Sequence, residues 1–216
     1  RAGSDGTVSV SSNTGDVSTL SATDDLRVGV EGSGSISIDS GGLVQIADNV
    51  HIADTATSSG TLQLNGSAAG RGVLETGAVI AGLGTADLDL DGGILRANRN
   101  ESDFLRNFTA GLAVGAEGAW FDSNGYDIGI DTIFSGTSTF NKLGTGTLTL
   151  TGNSTTFTGD ALAQAGTLQV DGTLGGTMDV LAGARLTGTG QVGVTTNRGV
   201  IAPGQPGSLG TLITVL

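Results

Sequence analysis

The stretch from Lys142 to Asp171 reads KLGTGTLTLTGNSTTFTGDALAQAGTLQVD and contains one strand pattern twice. Gly146 to Leu150 (GTLTL) returns twenty positions later as Gly166 to Val170 (GTLQV). Each copy is a glycine followed by alternating apolar and polar residues, which is the pattern of a short half-buried β-strand. The connection 152–159 is rich in Gly, Asn, Ser and Thr, which favour turns. A strand unit repeated about every twenty residues is typical of a stacked solenoid.

This stretch resembles the passenger-associated transport repeat near the C-terminal end of Gram-negative autotransporter (type V secreted) passenger domains. That repeat has a lysine, then G-x-G-T-L-T-L-T-G-N, a threonine/aromatic/glycine turn and A-G-T-L-x-V. The matching positions are Lys142, Gly144, Gly146 to Asn153, Phe157 to Gly159, and Ala165 to Val170. The resemblance implies a right-handed parallel β-helix that is displayed at, or shed from, the bacterial surface.

Composition agrees with thin stacked coils and excludes several kinds of site. Glycine accounts for 39 of 216 residues and aromatic residues for 4%, so the core must be built from many small aliphatic side chains. The absence of cysteine excludes disulfides, Cys-ligated zinc and Cys nucleophiles. A net charge of −12 with a single lysine argues against nucleic acid or an anionic membrane as a partner.

The first part of the chain carries the strand pattern in a looser form. Triplets such as Ile36-Ser37-Ile38, Val44-Gln45-Ile46 and Val50-His51-Ile52 place two apolar residues around one polar residue. The apolar pair should face inward and the polar residue outward, so His51 is predicted to be a surface residue. The spacing of the triplets fits two or three strands per coil, and helical periodicity is absent.

One glycine-free segment interrupts the pattern. Phe104, Leu105 and Phe108 have the spacing of one helical turn, so we expect a loop or short-helix insertion near 98–109 on the flank of the β-helix. The two phenylalanines would pack onto the edge of the core, or the segment would form a ledge for a ligand. Trp120 and Phe121 are adjacent, so in a strand one of them should be outside. Trp120, Arg99 and Arg106 are therefore candidate contacts with a host protein or glycan.

Three motifs that could carry catalysis are better explained as structure. Asp39-Ser40-Gly41-Gly42 resembles a protease serine motif but fits a turn, and 136–138 lacks the residues that would support a nucleophile. Asp87, Asp89 and Asp91 share one strand face and could form a calcium site or the acid/base cluster of a β-helical polysaccharide lyase. Calcium needs six to eight oxygen ligands, and no G-G-x-G-x-D repeat supplies them. We expect a solvated outer face, with no catalytic residue, metal or cofactor.

These observations predict an all-β protein, a single right-handed parallel β-helix of about ten coils. Residues 1–140 would form a stalk, and residues 141–216 would form C-terminal coils with a cap at about 187–216. That last part resembles the closing segment of the family (G-T-G, I-A-P-G, S-x-G-T-L) and contains both prolines, which suit turns and edges. An open solenoid end needs such a cap, because its strand edges are unpaired.

The resemblance implies a non-catalytic stalk of an autotransporter passenger, which promotes passenger folding and secretion as part of an adhesin or virulence factor. Its last 70–80 residues would act as an autochaperone, with Gly146, Leu148, Leu150, Gly166, Leu168 and Val170 as the folding repeat. The expected partners are its own C-terminal outer-membrane β-barrel and a host protein or glycan. The chain is expected to be a monomer at the cell surface or secreted, and a fragment from which a signal peptide and that barrel are missing. The alternatives are a carbohydrate-active β-helical enzyme and a direct host-binding surface.

Overall fold

The computed structural model describes residues 5–12, 15–204 and 209–214, and its regular structure in these ranges is entirely β. Within them, no helix is present that could cross a membrane. The strands are β1 Asp5–Val10, β2 Ser18–Ala22, β3 Leu26–Val28, β4 Ser33–Ile38, β5 Gly42–Ile46, β6 Asn49–Ile52, β7 Ser59–Ser67, β8 Gly70–Arg71, β9 Val73–Thr76, β10 Ala78–Ala81, β11 Thr85–Asp91, β12 Ile94–Ala97, β13 Leu105–Arg106, β14 Leu112–Ala113, β15 Ala119–Asp122, β16 Ile128–Ile130, β17 Phe134–Ser135, β18 Phe140–Leu143, β19 Thr147–Leu150, β20 Asn153–Ser154, β21 Asp160–Ala163, β22 Gly166–Val170, β23 Thr173–Val180, β24 Ala184–Gly188, β25 Gln191–Asn197, β26 Val200–Pro203 and β27 Ile213–Thr214.

The chain winds through these strands as a parallel β-helix. Successive strands fall on three faces in turn, and each strand pairs in parallel with the equivalent strand of the next coil. Among the described pairs of strands, only the β7–β8 hairpin is antiparallel. The long sheet follows the order β2-β5-β9-β12-β15-β18-β21-β23-β25-β27. Its ten strands, stacked at about 4.8 Å, give a ladder about 43 Å long and agree with the predicted coil number.

The other two faces are built from shorter sheets. The first N-terminal sheet is β1-β4-β7-β11 and the second is β3-β6-β10-β13, whereas β16-β19-β22-β24-β26 form the C-terminal sheet. Between the coil that ends at β13 and the next coil, these two faces are joined by single bridges, Leu90 to Val114 and Glu101 to Ile128. The long sheet is the one that continues through this region, with three residue pairs between β12 and β15.

The core is a stack of identical inward positions. In the C-terminal sheet, Leu148, Leu168 and Leu186 lie in register and are fully buried. Each apolar side chain is therefore covered by the equivalent side chains of the coils above and below it. The twenty-residue repeat of the sequence corresponds to one coil, because Thr147 to Leu150 pairs residue for residue with Thr167 to Val170.

Residues 98–109 form a loop and not the short helix that their sequence also allows. Within the loop, Leu105 and Arg106 form β13, which pairs with Val79 and Ile80 of the second N-terminal sheet. Phe104 and Leu105 are fully buried and belong to the continuous core, not to its edge.

Trp120 and Phe121 face opposite sides of β15, as the alternation predicts. Trp120 is partly exposed, whereas Phe121 is fully buried. Phe121 belongs to a buried aromatic cluster, the Phe cluster, that joins three successive coils; its members are Phe121, Phe134, Phe140 and Phe157. Their ring centroids are 5.1 to 6.3 Å apart, within the range of favourable aromatic pairs.

The C-terminal coils end in β26 and β27. Pro203 closes β26 opposite Gly188, at an end of the ladder where its missing N–H costs no internal hydrogen bond. The cap expected at 187–216 is described only in part. Pro206, within 205–208, and the final residues 215–216 lie outside the described residues.

Candidate functional site

The six residues of the predicted folding repeat occupy equivalent positions in two adjacent coils. Leu148 pairs with Leu168 and Leu150 with Val170, and all four side chains are buried. Gly146 lies just before β19 and Gly166 begins β22, at the same corner of the coil. The repeat therefore supplies one layer of core and one tight corner to each coil.

The two glycines are required by close contacts between coils. A Cβ atom at Gly146 would lie 1.8 Å from the carbonyl oxygen of Tyr126 in the preceding coil. A Cβ atom at Gly166 would lie 2.4 Å from the carbonyl oxygen of Gly144, and Gly166 also has φ +63°. Real Cβ atoms do not approach oxygen so closely, so any side chain would push the coils apart.

Gly146→Ala is expected to lower the free energy of unfolding by about 2–4 kcal/mol, because backbone must move to admit the methyl group. Urea unfolding followed by circular dichroism measures the change. Gly6→Ala is the matched control, since no atom lies within 4 Å of a Cβ built at that position. If Gly146→Ala lowers the free energy of unfolding no more than Gly6→Ala does, the two coils can move apart at that corner without loss of stability.

Lys142, which the sequence shows only as the first residue of the repeat, points into the protein. It lies in β18 in register with Phe121 and Ala163, both inward residues of the long sheet, and its side chain is fully buried. Its ammonium donates hydrogen bonds to Ser123 Oγ at 2.9 Å, Leu143 O at 2.6 Å, Gly144 O at 2.8 Å and Ala165 O at 3.2 Å. Because all of its donors have acceptors, this buried amine is a stable part of the folded core.

Burial of Lys142 disfavours the charged form of its amine. Burial lowers the pKa of this amine from 10.5 to about 8, and the negative charges of Asp122 and Asp127 limit the decrease. At neutral pH the amine is therefore mostly protonated. The positive charge in the core is held by oxygen atoms of coil corners, and not by an ion pair.

Trp120 is held in place by two neighbours on the outer face of the long sheet. Its indole Nε1–H donates to the carbonyl oxygen of Glu117 at 3.0 Å, and the guanidinium of Arg71 lies 3.6 Å from the ring centroid. This contact is a cation–π interaction that covers one face of the indole. Arg71 belongs to the short β7–β8 hairpin, which the sequence pattern did not reveal.

Arg99 and Arg106 bind their own chain. Arg99 donates to Asn49 Oδ1 at 2.6 Å and to Ala47 O at 3.1 Å, while Arg106 donates to Glu101 Oε2 at 2.5 Å. Arg106 lies in the second N-terminal sheet and Trp120 in the long sheet. The structure does not bring the three candidate contact residues together at one site.

Asp87, Asp89 and Asp91 do share the outer face of β11, as their alternation predicts. They pair with Thr61, Gln63 and Asn65 of β7. Asp87 and Asp89 line a groove of about 430 Å³ whose opposite wall is formed by residues 107–113. Burial, and then the charges of Asp91 and Asp87, raise the pKa of the Asp89 carboxyl.

His51 lies on the outer face of β6 and is only partly exposed, because it contacts two carboxylates. Its Nε2 is 3.3 Å from Asp25 Oδ2, and its Nδ1 is 3.8 Å from Asp54 Oδ1. Arg27 joins both carboxylates through its guanidinium. Burial acts to raise the pKa of Asp25, but the N–H of Asn49 with the charges of His51 and Arg27 lowers it overall.

The carboxylates of Asp24, Asp25 and Asp48 lie within 4.8 Å of one another beside this group. Asp25 accepts hydrogen bonds from Arg27 and from the N–H of Asn49. Its oxygens are therefore engaged by the protein. The sequence could not show this group, because residues 24 and 48 are brought together only by the stacking of adjacent coils.

One curated protein matches this chain closely in sequence. It is the "Adhesin BmaC autotransporter" of Brucella suis biovar 1 (strain 1330), which is 35% identical over 172 residues. The match covers 80% of this chain but 5% of that relative, so the chain spans about one twentieth of its length. No protein-family model and no solved structure matches the chain. Together with the ladder of parallel coils, this similarity supports an autotransporter passenger-domain identity for the chain.

Proposed function

We propose that the chain is a non-catalytic part of an autotransporter stalk that promotes passenger folding and displays an adhesin at the bacterial surface. The observation that carries this proposal is the shortening of the coils towards the C-terminus. In the long sheet, register partners are 21 to 30 residues apart in the coils from β2 to β15, but 21 apart in both coils from β15 to β21. From Ala163 to Val180 they are only 17 apart. The C-terminal coils thus contain few residues outside the stacked strands.

Short, regular coils favour a nucleus at the C-terminal end. The stability of a solenoid is approximately the sum of coil terms and nearest-neighbour terms, so folding begins where coils are compact and spreads coil by coil. A long loop adds a loop-closure entropy to each coil that contains it. The N-terminal coils, with their longer connections, would therefore fold onto a template already formed by residues 141–216.

Separate fragments test the order of folding. Fragment 141–216 is expected to show a cooperative urea transition by itself, whereas fragment 1–140 is expected to stay largely unfolded until it is joined to 141–216. Circular dichroism across a urea series measures both. The proposal fails if 1–140 folds alone and 141–216 does not, because the template would then lie at the other end.

The groove beside Asp87 and Asp89 permits a direct test of the non-catalytic role. Wild-type protein is expected to release no new reducing ends or unsaturated sugars from acidic and neutral polysaccharides, and Asp87→Asn/Asp89→Asn is expected to behave identically. Product release by the wild type that disappears in a folded double variant would instead establish the carbohydrate-active alternative. Ser35→Ala, on the same outer face, is the matched control.

The partners follow from the adhesin role. We propose that the full protein includes an outer-membrane barrel domain and that its passenger contacts a host protein or glycan. The similarity to an autotransporter adhesin and the extended outer faces of the rod support this role. Trp120 is the strongest candidate contact on this chain, since Arg99 and Arg106 are used in internal hydrogen bonds.

A further inference from the structure

The ammonium of Lys142 lies in an enclosure of oxygen atoms that come from three consecutive coils. Ser123 follows β15, Leu143 ends β18 and Gly144 follows it, and Ala165 follows β21. Their four oxygens, at 2.6 to 3.2 Å from Nζ, are called the Lys142 cradle below. Each of these corners turns the chain from the long sheet towards the C-terminal sheet. The cradle thus joins the three corners at one point.

The three N–H groups of the ammonium are shared among the four oxygens of the cradle. The hydroxyl of Ser123 directs its own proton to Leu143 O at 3.2 Å, which leaves its lone pairs for the ammonium. Among the described residues, Nζ is the only hydrogen-bond donor to Gly144 O and to Ala165 O. No carboxylate of a described residue forms an ion pair with Nζ. Asp122 and Asp127 act on it only through their charge.

This geometry is that of a cation-binding site. Ammonium N–H groups prefer oxygen acceptors at about 2.7–3.2 Å, and the carbonyl oxygens offset part of the free energy that burial of the charge costs. We propose that the coil corner is a binding site for a primary ammonium, and that Lys142 supplies this ligand from within the chain to fix the register of three coils.

Register is the property that the site would control. A slip of one residue in a strand turns every inward side chain outward. A slip of β18 would remove the amine from the cradle and leave the carbonyls of Gly144 and Ala165 buried without a donor. Only the native register of all three coils satisfies the four oxygens together, which gives Lys142 a positioning role distinct from that of an apolar core residue.

The proposal is tested by supplying the ligand from solution. Lys142→Ala removes the atoms Cγ, Cδ, Cε and Nζ, which n-propylammonium replaces one for one. The urea midpoint of this variant should rise steadily with n-propylammonium concentration, as expected for a ligand that binds only the folded state. The wild-type midpoint should not respond. Tetramethylammonium, which donates no hydrogen bond, and n-propanol, which carries no charge, should leave the variant unchanged at equal ionic strength.

A matched cavity separates binding at the cradle from simple filling of space. Leu148→Ala opens an apolar cavity in the adjacent sheet, so n-propylammonium should not stabilise it more than n-propanol does. The proposal is overturned if n-propylammonium gives Lys142→Ala no shift. It is equally overturned if n-propanol or tetramethylammonium gives a comparable shift.

A second measurement applies to the wild type and does not depend on the stability of Lys142→Ala. Because Lys142 is the only lysine, acylation by an amine-reactive ester followed by peptide mapping reports the opening of the cradle. Ser123→Ala, which removes one oxygen, should raise the labelling rate about tenfold, the effect of losing one hydrogen bond to a charged group. Ser58→Ala removes a buried hydroxyl elsewhere and should not change the rate. Equal rates in wild type and Ser123→Ala would contradict the proposal.

Discussion

Replacing Phe140 with alanine is expected to lower the free energy of unfolding by about 3–5 kcal/mol, the usual cost of removing a buried phenylalanine. Phe140 is fully buried and is the central member of the Phe cluster. Its ring centroid lies 5.1 Å from that of Phe121, 5.2 Å from that of Phe134 and 6.3 Å from that of Phe157. Its loss would therefore remove three aromatic contacts and leave a cavity that spans adjacent coils.

The aromatic contribution can be separated from burial by a double-mutant cycle. Phe140→Leu keeps most of the apolar volume and should cost about 1–2 kcal/mol. Phe134→Ala combined with Phe140→Ala should lose less than the sum of the single variants, by about 0.5–1.5 kcal/mol. Urea unfolding of the four proteins gives the coupling. Strict additivity would show that the rings act independently.

Lys142→Met is expected to lower the free energy of unfolding at pH 7 by about 2–4 kcal/mol. Methionine fills the same volume without strain but donates no hydrogen bond, so Gly144 O and Ala165 O are left buried and unpaired. Arg185→Met, at an exposed position, is the control and should change stability by less than about 0.5 kcal/mol. If Lys142→Met and wild type have the same free energy of unfolding, the carbonyl oxygens of Gly144 and Ala165 must form hydrogen bonds with water when the amine is absent.

The same variant has a distinct pH profile. The pKa of Lys142 is about 8 in the folded protein and 10.5 for the ordinary side chain, so between these values the unfolded chain binds more protons. The free energy of unfolding of the wild type should therefore rise with pH across this window, by about 3 kcal/mol in total. Lys142→Met should lack this rise. A wild-type profile that falls through the window would contradict the lowered pKa.

Much of the fold could be predicted from local patterns, because a β-helix repeats one short strand signal. The duplicated stretch from Gly146 to Val170 stacks coil on coil, and the triplet Ile36-Ser37-Ile38 places its isoleucines inward. Such positions depend on the alternation of strand side chains, which a sequence shows directly. The number of coils followed from the same spacing.

The long-range contacts could not be predicted in the same way. The rings of Phe121 and Phe140 meet because β15 stacks on β18 with Phe140 beside Ala119 and Phe121 beside Lys142. That register cannot be counted from the sequence where the connections between strands vary in length. The missing glycine and the spacing of Phe104, Leu105 and Phe108 predict a flank insertion at 98–109, whereas Leu105 continues a buried row that includes Val79. In the sequence, Lys142 is distinguished only as part of the family motif. The alternation from Phe140 places it inward, but a lysine is seldom assigned to a core without knowledge of its acceptors.

Among the candidate contact residues, exposure could be predicted from the sequence, but hydrogen-bond partners could not. Exposure of Trp120 followed from its adjacency to Phe121, and the structure places it outside. The hydrogen bonds of Arg99 to Asn49 and of Arg106 to Glu101 depend on loop conformation, which strand patterns do not encode. Sequence reasoning therefore located the strand faces but not the internal partners of charged side chains.

The single bridges that follow β13 have a mechanical consequence. Hydrogen bonds between coils run along the rod, so a pull on its two ends acts on them directly. Around the connection from residues 98 to 118, the first face transmits that tension through the bridge of Leu90 with Val114, and the second through the backbone hydrogen bonds of Glu101 and Phe104 with residues 127–129. The long sheet transmits it through the three residue pairs of β12 with β15. Because β4 and β7 share six such pairs, traction would load each bond of this connection more heavily than those of the N-terminal ladder.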